Sequence, residues 1–140
     1  APAMGTLRSF HSGISLLDGR VLILGGSSTL VTEIFDPAAN GGLGAFVAGA
    51  SLAIPRNQHS ALLLPNGNVQ IAGGTSGLNS VEVFNPYGNS GLGIVMNSVS
   101  MTSMRRLHSS TLLQNGKVLI TGGSFGFSTN SINATTELWQ

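Results

Sequence analysis

The chain has no cysteine, so disulfides, thiolate catalysis and cysteine-type zinc sites are excluded, although the redox compartment is left open. Charge is also scarce. Asp, Glu, Lys and Arg make up 8% of the 140 residues, against about 25% in an average soluble domain. One of the six cations is a lysine and the net charge is +1, which leaves no basic surface to neutralise a phosphate backbone and argues against nucleic-acid binding. No apolar run reaches the ~18 residues that a membrane span needs. Hydrophobic content of 41% is too high for a disordered chain of such low charge. In place of charge the chain carries 18 Ser, 10 Thr, 11 Asn and 20 Gly. That composition leans toward a secreted or cell-surface protein. The opening APAMGTLRSF has no initiator Met and no cleavable apolar segment, as expected of a processed or excised piece.

What is present is a repeat. RSFHSGISLLDGRVLILGG from Arg8 aligns with RNQHSALLLPNGNVQIAGG from Arg56, and with a third copy from Arg105. The arginines are 48 and 49 residues apart, and His11, His59 and His108 keep those offsets. So do the pairs Gly25 and Gly26, Gly73 and Gly74, and Gly122 and Gly123. Downstream come Glu33, Glu82 and Glu137, followed in the first two copies by an aromatic residue, Asp or Asn, then Pro, and later by Gly-Leu-Gly.

Each copy reads as strands. A short apolar run after the His ends at Asp18-Gly19, Asn66-Gly67 or Asn115-Gly116, dipeptides preferred in two-residue type I′ hairpins. The returning strand VLIL, VQIA or VLIT stops at the glycine pair, where a Cβ would block the backbone path or a close approach. A third strand follows at EIF, VEVF and TELW, and a fourth is expected near 45–49 and 94–99. No segment has a helical period.

The combination R-x-x-H-S, L-L-x-[DN]-G-x-V-x-[IL], Gly-Gly and E-x-[FYW]-[DN]-P resembles Kelch repeats, and the resemblance covers essentially the whole chain. It implies an all-β fold, a β-propeller of four-stranded antiparallel blades around an axis. Blades are expected at about 4–51, 52–100 and 101–140, the last lacking its fourth strand. The Trp usual ten residues before the repeat's Arg is here Phe46 or Val95, a smaller anchor. Propellers close with about 4–8 blades, so three imply either half of a six-bladed ring, part of a longer chain, or an extended assembly. Self-association or the remainder of a longer propeller is the expected partner.

Arg8, Arg56 and Arg105 with Glu33, Glu82 and Glu137 account for six of the eleven charges, and are expected to tie strands or blades together. A ring of like side chains around a pocket is the competing reading. The three histidines could ligate a metal if they converged, but blade-related positions spread around a channel, so no metal and no cofactor is expected. Ser12, Ser60 and Ser109 alternate away from the adjacent imidazoles and form no triad. Some family members are copper-radical oxidases, which implies a metal held by Tyr and His, with a Tyr cross-linked to Cys. This chain has one Tyr, Tyr87, and no Cys. The third copy has six extra residues before Glu137, bringing Phe125, Phe127 and Asn130, candidates for stacking on a glycan or docking an extracellular protein. The alternative is that the two Phe cover the end of the core. Asn133-Ala134-Thr135 is a glycosylation sequon expected on a surface loop. The functional expectation is a non-catalytic extracellular interaction or structural module. The alternatives are a carbohydrate-binding propeller and the scaffold of a secreted oxidase.

Overall fold

Each apolar run after a repeat histidine becomes the first strand of an antiparallel meander. The computed structural model describes residues 2–26, 28–75, 78–126 and 131–140. The first sheet is β1 (His11–Ser15), β2 (Val21–Gly25), β3 (Glu33–Asp36) and β4 (Ala45–Ala48), hydrogen-bonded in that order. The second repeats it with β5 (Ser60–Leu63), β6 (Val69–Ala72), β7 (Val81–Asn85) and β8 (Ile94–Asn97). The third has three strands among the described residues, β9 (Ser109–Leu112), β10 (Val118–Thr121) and β11 (Thr136–Trp139). The chain is thus all-β. Its only helical segments among the described residues are single turns at Ala39–Gly42 and Asn89–Gly91, each broken by residues at positive φ.

Period-2 alternation places the core between sheets. Leu22 and Leu24 of β2, with Leu16 and Ile34, pack on Leu52, Val69, Ile71 and Phe84 of the second repeat. The opposite face of that repeat supplies Leu64, Ala72 and Val81, which meet Met101, Val118 and Ile120 of the third. β6 is therefore buried at all four positions, whereas β10 alternates between buried and half-buried. Each fully buried Leu or Ile contributes about 1.5–3 kcal/mol relative to an exposed one, so sheet stacking dominates the stability. Phe46 lies opposite Phe35 across the β3–β4 pair with ring centroids 4.9 Å apart, and Val95 lies opposite Phe84.

The hairpin turns differ from the expected two-residue type I′ form. Leu16 N–H donates to the Arg20 carbonyl at 2.8 Å and Gly19 N–H to the Leu16 carbonyl at 3.1 Å, giving a three-residue loop. Leu64 with Asn68 and Leu113 with Lys117 repeat the pattern. Only the glycine takes positive φ, +86°, +82° and +80° at Gly19, Gly67 and Gly116. Asp18, Asn66 and Asn115 stay out of that region because their task is different. Each side-chain oxygen accepts from the backbone N–H two residues on, at 3.1, 3.0 and 3.1 Å, the Asx geometry that favours these residue types in turns.

Candidate functional site

The repeated arginines and glutamates build one frame three times. The Arg8 guanidinium donates to Glu33 at 3.0 Å and to the Gly25 and Val31 carbonyls. Arg56 donates to Glu82 at 2.8 Å, to the Gly73 and Ser80 carbonyls and to Ser80 Oγ. Arg105 reaches Glu137 at 2.7 Å, the Gly122 and Thr135 carbonyls, and Thr135 Oγ1. The carboxylate oxygen not taken by the arginine accepts a backbone N–H of the segment leading into the repeat, from Gly5, Ala53 or Thr102, and in the third repeat the Ser103 N–H shares the oxygen that Arg105 holds. Burial works to raise the Glu137 pKa. The Thr102 N–H, the Arg105 side chain and the Ser103 N–H outweigh it and hold the carboxyl below its usual range. Each ion pair binds within its own repeat. Between repeats the glycine pairs add a backbone link: Gly26 N–H donates to the Arg56 carbonyl at 2.7 Å, and Gly74 N–H to the Arg105 carbonyl at 3.0 Å.

The first glycine of each pair explains the histidine. A Cβ on Gly25 would strike the His59 ring and sit 2.7 Å from the Arg56 carbonyl oxygen. One on Gly73 would strike the Arg105 carbonyl and lie 2.8 Å from His108 Cε1. The imidazoles of the second and third repeats thus pack against the glycine of the preceding one. Burial, then the guanidinium of Arg56 and the neighbouring His108 and His11, push His59 down to about 4. Burial and Arg105 push His108 to about 4. Both rings are neutral at neutral pH. His108 Nε2 lies 2.8 Å from Ser60 Oγ, which is 2.7 Å from Ser110 Oγ. Sequence reasoning missed this contact, since it considered only the serine next to each histidine and not the one in the preceding repeat. His108 Nδ1 has no hydrogen-bond partner, so no carboxylate orients the ring as nucleophilic catalysis requires. Among the described residues no three His, Asp, Glu or Cys gather to hold a metal.

The residues before the histidines carry a feature with no sequence signature. Phe10, Gln58 and Leu107 all adopt positive φ, +55°, +56° and +53°, a conformation that costs a side-chain-bearing residue roughly 1–2 kcal/mol. It recurs in every repeat, so it belongs to the turn that delivers each imidazole. Arg106, the one charge outside the repeat, is buried and donates to Gln58 Oε1 at 2.9 Å and to the Gly126 carbonyl at 2.6 Å. It anchors the longer third-copy loop to the second repeat.

That loop borders a cleft of about 560 Å³, within the ordinary range of small-ligand sites. Phe125 is 54% exposed at its wall, beside Ile132, Met104, Asn79 and Ser103. Phe127 and Asn130 lie outside the described residues. Asn133 is not on a surface loop: it is buried, its side-chain oxygen accepting from Thr135 N–H at 2.9 Å and Thr135 Oγ1 at 2.6 Å. Because Thr135 Oγ1 also receives Arg105, the sequon residues serve the arginine frame.

No protein-family model matches the chain, and no curated protein matches it. A solved structure of YjhT superposes with a TM-score of 0.69 at 23% identity, over 87% of this chain and 36% of that one. A fungal alcohol oxidase of the AA5 family, in complex with copper, superposes with a TM-score of 0.51 at 13% identity, over 94% of this chain and 51% of that one. The chain therefore spans about a third and about half of the lengths of these two structures. At such identities the likeness is one of fold: stacked antiparallel β-sheets joined in chain order.

Proposed function

We propose that the chain is a run of Kelch-like β-propeller blades acting as a non-catalytic interaction or structural module of an extracellular protein. The observation that carries this reading is the threefold Arg–Glu frame, in which the repeated charges are occupied by each other and by backbone. His59 and His108 pack on glycines and are held neutral. What remains of the polar inventory is turn chemistry and Ser, Thr and Asn surface. The scarcity of charge and the Ser/Thr/Asn enrichment support an extracellular setting. The test is turnover. Purified chain, with and without added Cu(II) or Zn(II), is assayed for peroxide release from primary alcohols and for ester and glycoside hydrolysis. No rate above the metal control is expected. Turnover abolished by substituting a described residue overturns the proposal.

One observation favours a second reading, a carbohydrate-binding propeller: the exposed Phe125 ring stands beside Asn79 and Ser103 at the 560 Å³ cleft. An aromatic face flanked by amide and hydroxyl groups suits a sugar ring. A glycan array without hits, or binding unchanged in Phe125→Ala, removes it. The scaffold of a larger oxidase is a third reading, resting only on the fold shared with the copper-bound alcohol oxidase. Tyr87, the chain's single tyrosine, sits half exposed in the turn after β7.

A further inference from the structure

We infer that mild acid parts this stack at one seam, between the first and second sheets, before it loosens the seam between the second and third. The two seams share a plan. At each, an imidazole sits against a glycine of the preceding sheet, His59 on Gly25 and His108 on Gly73. Beside it a glycine N–H crosses the seam, from Gly26 to the Arg56 carbonyl and from Gly74 to the Arg105 carbonyl. A neutral ring suits such a seat. An imidazolium brings a charge and a second N–H donor, and a buried donor without an acceptor is costly.

The seams differ in how they receive a proton. His108 Nε2 lies 2.8 Å from Ser60 Oγ, which is 2.7 Å from Ser110 Oγ. Once His108 is protonated, its Nε2–H donates to Ser60 and the Ser60 hydroxyl donates to Ser110. His59 has no such relay: both of its ring nitrogens are buried without a hydrogen-bond partner. The repeat offsets put Ser12 in the place of Ser60, but Ala61 in the place of Ser110, and Ala61 packs on the first core. The charged or titratable groups acting on His59 are Arg56, His108 and His11, and Arg105 acts on His108. Each of these is a cation or becomes one in acid, so none welcomes a second charge. A ring released by opening regains the usual value of 6.5, so opening takes up a proton as the pH falls below it. The serine relay lets His108 accept its proton while still seated, and its seam gains less from opening. Parting the first seam bares Leu22, Leu24 and Ile34 on one side and Val69, Ile71 and Phe84 on the other. The Arg–Glu pairs lie within single repeats and contain no histidine, so they survive this step.

The experiment is amide hydrogen exchange, followed by NMR on the 140-residue chain from about pH 7 to about pH 4.5. The Gly26 N–H reports the first seam and the Gly74 N–H the second. Corrected for intrinsic exchange, the opening constant at Gly26 is expected to rise by about tenfold per pH unit below 6.5, and to run severalfold ahead of Gly74 at the acid end. Ala61→Ser completes the relay with Ser12 and brings the pH response of Gly26 down to that of Gly74. Ser60→Ala removes the relay and brings the response of Gly74 up to that of Gly26. Protection at Gly26 that does not change with pH overturns the inference. So do equal losses at both glycines, which mean global unfolding, a loss at Gly74 that comes first, or a Gly26 response unchanged in Ala61→Ser. None of these results bears on turnover, so this inference and the non-catalytic reading fail separately.

Discussion

Removing the Arg56 guanidinium gives the sharpest stability test. Its side chain is 0% exposed and that of Glu82 is 1% exposed. Arg56→Met keeps the apolar stem volume and deletes the hydrogen bonds to Glu82, Ser80 Oγ and the Gly73 and Ser80 carbonyls. Glu82 is then left buried with the Ala53 N–H as its remaining partner, at 3.1 Å. Breaking a buried pair by removing one member costs about 3–5 kcal/mol, a large part of the roughly 5–15 kcal/mol that a domain has in total. With a urea slope of about 2 kcal/mol/M, the midpoint falls by about 2 M. Glu82→Leu on top of Arg56→Met recovers part of the loss, because the stranded carboxylate is gone. It does not recover all of it, since the buried Gly73 carbonyl still lacks its donor, whereas the Ser80 carbonyl keeps the Gly73 N–H. Urea titrations of the parent, both single variants and the double variant measure the coupling directly. A single variant within about 0.5 kcal/mol of the parent, or strictly additive changes, refutes the view that this pair holds the frame.

Three further outcomes follow from the same geometry. Because His59 and His108 fall from the usual 6.5 to about 4 on folding, the folded state binds fewer protons. Their contribution is intact above 6.5 and is lost as the pH falls toward 4, by roughly 2 kcal/mol each at pH 5; a flat urea midpoint between pH 7 and 5 contradicts it. Gly25→Ala meets the His59 ring and the Arg56 carbonyl, whereas Gly19→Ala meets open space at a similar positive φ. Thermal melts should therefore show about 1 kcal/mol lost at Gly19, from backbone strain alone, and at least twice that at Gly25. Leu107→Gly relieves a left-handed, 63% exposed leucine and is expected to be neutral or to stabilise by up to about 1 kcal/mol; a clear loss in the melt means that its side chain is held by something more.

Sequence reasoning reached what repetition carries. The strand positions, the Arg–Glu frames and the glycine pairs recur at one offset, and a recurring residue is readable as part of a repeating unit. It failed where a single residue type serves a different local geometry. Asp18-Gly19 fits both a type I′ turn and a three-residue loop, and the choice depends on which carbonyl accepts the Leu16 N–H, a tertiary fact. Phe10, Gln58 and Leu107 share no chemistry, so nothing in their identities announced a common left-handed backbone. Asn133 matched a three-residue pattern whose usual setting is the surface, while its neighbour Thr135 was already committed to Arg105. The Ser60–His108 contact joins residues 48 apart in different sheets, beyond the reach of local alternation. Of the proposed binding loop, the sequence showed the extra length and the aromatics. It did not show that Arg106 would tie the loop down.

The backbone link between repeats has a consequence for synthesis. The Gly26 N–H finds its acceptor on Arg56, and the Gly74 N–H on Arg105, so the end of the second strand in each of the first two sheets is finished by residues that leave the ribosome after it. At about 5–20 residues per second, the first sheet waits seconds for its closing carbonyl and for the imidazole that covers Gly25. The stack therefore matures in the direction of translation, each newly made unit locking the one before it and remaining unlocked itself. A pause in translation would expose an unfinished strand end, and where it fell along the repeat would decide which sheet was left open.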